Sequence, residues 1–77
     1  MARIQFELTE EQLTELESLM QLSGTRTKKD LLNNALTLLE WALNEKKKGR
    51  IIASVDEKEQ KYKELVMPIL AVAAAAA

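Results

Sequence analysis

Near its start the chain alternates polar and apolar residues, Arg3-Ile4-Gln5-Phe6-Glu7-Leu8, and then runs straight into a helix-start signal. A period of two is that of a half-buried strand, with Ile4, Phe6 and Leu8 on one face and Arg3, Gln5, Glu7 and then Thr9 on the other. No hairpin turn follows to supply a neighbour, and a lone strand leaves its backbone donors and acceptors unpaired. Its mate must therefore come from late in the chain or from another copy.

The helix signals are clear. Thr9 can act as an N-cap, Gln12 completes a capping box, and Glu10 and Glu11 suit the positive end of the dipole. Leu13, Leu16, Leu19, Met20 and Leu22 form a helical stripe that Gly24 stops, which predicts a first helix over 10–22. Thr27 caps a second helix, with Asp30 at the capping-box position. Its apolar residues Leu31, Leu32, Ala35, Leu36, Leu38, Leu39, Ala42 and Leu43 cover more of the circumference than one small core requires. Such a helix expects neighbours on more than one side. Lys46, Lys47 and Lys48 suit its negative end, and Gly49 stops it.

Beyond Gly49 the signals weaken, which divides the chain into a core over 1–49 and an extension over 50–77. Within the extension Arg50 to Val55 reads as a short strand. The charged stretch from Asp56 to Val66, with Tyr62 and Leu65 at helical spacing, reads as a short helix or mobile tail. Pro68 is expected to break any helix that reaches it. The alanine-rich end, Ala71 to Ala77, offers little to pack. Trp41 is expected at a dimer or tail contact, and Met20 and Met67 in packing.

With 77 residues the chain holds at most one domain, and chains of that size usually need a staple. It has neither cysteine nor histidine, which removes disulfides and the usual zinc ligands. Oligomerisation is the remaining staple, and 47% hydrophobic residues provide surface for it. No metal or other cofactor is expected. Nor is an enzyme: nothing resembles a nucleophile with its base, and Glu10 and Glu11, being adjacent on a helix, point apart. No charged segment followed by an apolar one opens the sequence, and no apolar run is long enough to span a bilayer. A cytoplasmic protein without membrane contact is the expectation.

A strand, two capped helices and a glycine stop between them, in that order, resemble the ribbon-helix-helix family of bacterial and phage repressors. Gln5-Phe6-Glu7-Leu8 is similar to the family's strand. Gly24 and the run Thr27-Lys28-Lys29-Asp30-Leu31-Leu32-Asn33-Asn34-Ala35-Leu36 are similar to its pattern of glycine, hydroxyl cap, acidic third residue, two aliphatics and Ala-Leu. The resemblance covers roughly Arg3 to Ala53. It implies a mostly α fold, an intertwined homodimer with a two-stranded antiparallel β-ribbon between subunits. Ile4, Phe6, Leu8, Leu32, Leu36 and Leu39 would form the dimer core.

The resemblance also implies double-stranded DNA as a partner, with the ribbon in the major groove of a repressor's operator. Arg3, Gln5, Glu7 and Thr9 would then face the bases: Gln5 suits adenine, and Arg3 suits guanine or a phosphate. Glu7 departs from what DNA favours. It either marks cytosine or signals a ribbon that no longer binds DNA. On alternation alone these residues are an ordinary solvated sheet face, and Thr9 has its competing duty as a cap. Arg26, Thr27, Lys28 and Lys29 would clamp a phosphate at the start of the second helix. Any capped helix shows such a terminus, but lysines there oppose the dipole, and an anionic partner would explain them. The net charge of −1 weighs against nucleic acid, although the cations are locally grouped. Further expectations are association of dimers on DNA and a protein contact through residues 50–70. Two other functions fit the same fold: an antitoxin whose tail holds a toxin, and an interaction adaptor that has lost DNA binding.

Overall fold

The computed structural model describes residues 2–75. They form α1 (Glu10–Ser23), α2 (Lys28–Lys47), β1 (Ala53–Asp56), β2 (Lys61–Glu64) and α3 (Pro68–Ala75). The chain is thus helix-rich, with one two-stranded antiparallel sheet among the described residues. It groups into two units, one ending at Asn34 and the other beginning at Ala35.

In the first unit α1 begins as its sequence requires. The Thr9 side chain accepts from the Gln12 backbone N–H at 3.1 Å, and the Gln12 side chain accepts from the Thr9 N–H at 3.0 Å. Two of the donors that a helix start leaves free are thereby satisfied. The helix ends at Gly24, whose φ of 71° places it in the left-handed region. Gly24 N–H donates to Gln21 O and Thr25 N–H to Met20 O, the paired bonds of a Schellman stop. A Cβ at Gly24 would meet nothing within 4 Å, so only the backbone conformation asks for glycine. Gly24→Ala should therefore lower stability by about 1 kcal/mol, the cost of holding an L-residue in that region. Chemical denaturation would measure it, and Gly24→Asn should lose less. At the start of α2 the Thr27 hydroxyl accepts from Asp30 N–H at 3.1 Å and the Thr27 carbonyl from Leu31 N–H at 3.2 Å.

Residues 2–9 belong to no helix or strand. The strand expected over Arg3–Leu8 is absent from the single chain because a strand is stabilised by its ladder, and among the described residues no segment pairs with it. The observed sheet lies elsewhere, between β1 and β2.

The second unit corrects three expectations. The charged stretch from Asp56 to Val66 is neither a helix nor a tail: it closes a hairpin in which Val55 lies opposite Tyr62 and Ser54 opposite Lys63. The Asp56 carboxylate accepts from Lys58 N–H at 3.1 Å and Glu59 N–H at 3.3 Å, so this side chain builds the turn. Gln60, at φ 55°, returns the chain into β2. The strand expected over 50–55 begins only at Ala53. Pro68, expected to break a helix, instead opens one. At the first helical position its missing N–H is not needed and its fixed φ already suits the helix. The alanine run continues α3 as far as Ala75, and Ala76 and Ala77 lie outside the described residues.

The end of α2 is tied back. Arg50 N–H donates to Glu45 O at 3.1 Å, and the Arg50 guanidinium meets the Glu45 carboxylate at 2.7 Å. Core, however, is scarce. Among the described residues only Ala42 and Leu70 are buried hydrophobics.

Candidate nucleic-acid and partner interface

Every residue expected to read or clamp DNA lies in the first unit, and all are exposed. Arg3, Gln5 and Glu7 lie on the segment before α1, alternating with Ile4, Phe6 and Leu8. The apolar members of that segment are as open as the polar ones: Ile4 is 70% exposed and Phe6 74%. An apolar side chain left open forgoes about 1.5–3 kcal/mol relative to burial. Three such residues at strand spacing form a face without a covering.

Thr9 is placed differently from the other three expected readers. Its hydroxyl and its backbone N–H are both engaged with Gln12 in the capping box. A base contact by Thr9 would have to share or give up that cap.

At α2 the site is a helix terminus with a hydroxyl cap. Helix geometry leaves the N–H groups of Lys28 and Lys29 without an acceptor one turn back. Their exposed donors, the positive end of the dipole and the two ammonium groups gather positive potential at this end of the helix. Neither lysine side chain, nor that of Arg26, enters an ion pair among the described residues. Asp30 is the only acid in the same first turn, and its N–H is held by Thr27.

The residues expected in a dimer core are exposed in the single chain, with Leu39 in part an exception. Leu8, Leu32 and Leu36 are each close to half exposed, while Leu39 is half-buried. Trp41, expected at a contact, is 52% exposed, and Met67 is also exposed. Met20 is half-buried.

Neither α3 nor the groove beside it follows from the sequence patterns described earlier. Leu36, Leu39 and Leu43 of α2 line this groove with Ile69, Val72 and Ala73 of α3. The signal was present as Ile69, Leu70 and Val72 after Pro68, but reading Pro68 as a stop concealed it. Among the described residues no group of three or more His, Cys, Asp or Glu side chains could hold a metal ion. No helix among them is long and apolar enough to cross a membrane.

Comparison with family models, curated proteins and solved structures gave no match to this chain.

Proposed function

We propose that the protein is a sequence-specific DNA-binding regulator that works in the cytoplasm as a homodimer and represses by occluding a roughly palindromic operator. Two copies pair residues 3–8 into an antiparallel ribbon, giving the intertwined ribbon-helix-helix arrangement. One face of the ribbon buries Ile4, Phe6 and Leu8 against the helices of both copies. The other presents Arg3, Gln5 and Glu7 to the major groove, which is wide enough for two strands. Arg26, Thr27, Lys28 and Lys29 hold a phosphate on each side.

The observation that carries this reading is the exposed apolar face of Ile4, Phe6 and Leu8, joined without a turn to the box-capped α1. A second copy supplies both missing elements, a ladder for the backbone and a cover for the side chains.

Selection of bound sequences from a random DNA pool tests the reading. A two-fold symmetric consensus is expected, and Gln5→Ala should blur it more than it lowers nonspecific binding. If the protein retains no DNA from the pool, the reading falls. The adaptor function, to which Glu7 on the ribbon's outer face is suited, would then take its place.

One observation favours a second reading, the antitoxin. Val55 and Tyr62 form a cross-strand pair that is exposed on the hairpin, and Val66 beyond it is 81% exposed. A toxin-sized protein that copurifies with the native chain and is lost with Tyr62→Ala would support it.

A further inference from the structure

The hairpin is a sheet of two strands, so β1 and β2 each have one edge that no strand covers among the described residues. The register says which backbone groups those edges present. Leu65 N–H donates to Ile52 O at 2.6 Å, one step beyond the pair of Ala53 and Glu64. In an antiparallel ladder, residue pairs that exchange hydrogen bonds alternate with pairs that do not. Ser54 with Lys63 and Asp56 with Lys61 are therefore the bonded pairs inside the hairpin. Ala53 and Val55 turn their backbone groups outward from β1, and Tyr62 and Glu64 turn theirs outward from β2.

The two edges differ in their protection. β2 is Lys61-Tyr62-Lys63-Glu64, with three charged residues in four. Such charges, lysine above all, are the usual guard against a further strand. β1 carries a charge only at its end, in Asp56, whose carboxylate accepts from the backbone of the turn. From Ile51 to Val55 the chain is uncharged and free of proline, and three of these five residues are β-branched. That edge is open and unguarded.

The same stretch is complementary to itself when reversed. If two copies of β1 lie antiparallel about a two-fold axis at Ala53, Ala53 faces the partner's Ala53 and Ile51 faces the partner's Val55. Ile52 then faces the partner's Ser54, and Arg50 faces the partner's Asp56, base against acid. Both charged groups have contacts in their own chain, so they favour this register rather than hold the strands together. An axis at Ser54 would instead set Asp56 against the partner's Ile52. In the Ala53 register the outward groups of Ala53 and Val55 are the ones that bond across the axis. The product is a four-stranded sheet in the order β2–β1–β1–β2, whose open edges are the lysine-bearing ones. A second copy is thus the occupant that hides both unguarded edges and leaves the guarded ones outside.

We propose that β1 is an association edge, through which the hairpins of two copies join into one four-stranded sheet. The contact uses no residue of the ribbon, of the DNA-facing set or of α2. It goes beyond the homodimer proposed above and links one such dimer to the next.

Sedimentation equilibrium of the full-length chain, without DNA, tests it. As concentration rises into the micromolar range, species of two copies should give way to species of four or more. Val55→Pro should weaken that step about a hundredfold, because it removes one outward N–H from each side of the contact. The hairpin itself is spared, since proline is tolerated where an edge N–H faces solvent. Glu64→Pro makes the same change on the edge of β2 and should leave the step unchanged. Ala53→Lys and Ala53→Glu should each weaken association about tenfold, whereas their equimolar mixture regains it as unlike charges meet at the axis.

If the unaltered chain and Val55→Pro both stop at two copies, the edge proposal fails and the ribbon dimer stands. The edge proposal fails likewise if Val55→Pro and Glu64→Pro act equally, or if the mixture associates no better than its components. If the unaltered chain forms pairs that Val55→Pro reduces to single copies, the edge contact stands and the ribbon homodimer falls. Single copies at every concentration would overturn both.

Discussion

Phe6→Asp should abolish the dimer and, with it, cooperative folding at micromolar concentration. Each dimer contains two copies of Phe6, and removing a buried phenyl group costs about 3–5 kcal/mol per site. About 6 kcal/mol per dimer is therefore a lower bound, before the cost of placing a carboxylate in an apolar contact is added. That is about four orders of magnitude in the dissociation constant. The loss should spread to the helices, because the chain alone buries only Ala42 and Leu70 among its described hydrophobic residues. Far-ultraviolet circular dichroism would show the lost helix, and sedimentation equilibrium the lost dimer. Glu7→Gln, one residue along on the opposite face, should leave both unchanged. A folded, helical monomer of Phe6→Asp at micromolar concentration would refute the reading of Ile4, Phe6 and Leu8 as a dimer face.

Parts of this molecule were legible in its sequence and parts were not, and the difference follows the range of the interactions. The starts of α1 and α2 were legible because Thr9, Gln12, Thr27 and Asp30 act on backbone groups three residues away. Gly24 and Gly49 were legible as stops for a similar reason: at φ 71° and 81° they occupy a conformation that costs other residues energy. The hairpin was not legible. It lacks the Asn-Gly or Asp-Gly pair that marks two-residue turns, and instead uses the Asp56 side chain together with Gln60 at positive φ. Tyr62 and Leu65, three residues apart, suggested a helix, yet in β2 Tyr62 is set by Val55 across the ladder. Pro68 misled because proline both stops helices and starts them, and only the three-dimensional context selects between these roles.

The candidate site divides along the same line. The outward and inward faces of residues 3–8 follow from alternation alone, but what covers the inward face is a matter of assembly. The duty of Thr9 as a cap was legible, and its full engagement with Gln12 sharpens the division of labour on the ribbon. On the proposed ribbon, Arg3, Gln5 and Glu7 would then be the residues left to meet bases. Among them Glu7, the one acid, would bear the greatest electrostatic cost beside phosphates.

Lys28→Glu combined with Lys29→Glu should lower DNA affinity at least a thousandfold at low salt while leaving the dimer folded. The dimer carries four of these lysines, and each phosphate neutralised contributes about 0.9 to the slope of log affinity against log salt. The double variant should therefore flatten that slope by roughly 4 units if every lysine meets a phosphate. Far-ultraviolet circular dichroism of the double variant should show that the fold is kept. Acidic residues in the first turn of a helix interact favourably with its dipole, by about 0.3–1 kcal/mol each, so the substitutions should if anything stabilise α2. The Thr27 cap uses backbone groups that the substitutions do not touch. Lys58→Glu with Lys63→Glu on the hairpin makes the same change in net charge and serves as the comparison. If binding depends on the terminus of α2, the hairpin variant should lose far less affinity and keep most of the salt slope. Equal losses in the two variants would mean that overall charge, rather than a phosphate clamp at Lys28 and Lys29, governs the affinity. Unchanged affinity in the first variant at low salt would remove the α2 terminus from the DNA interface altogether.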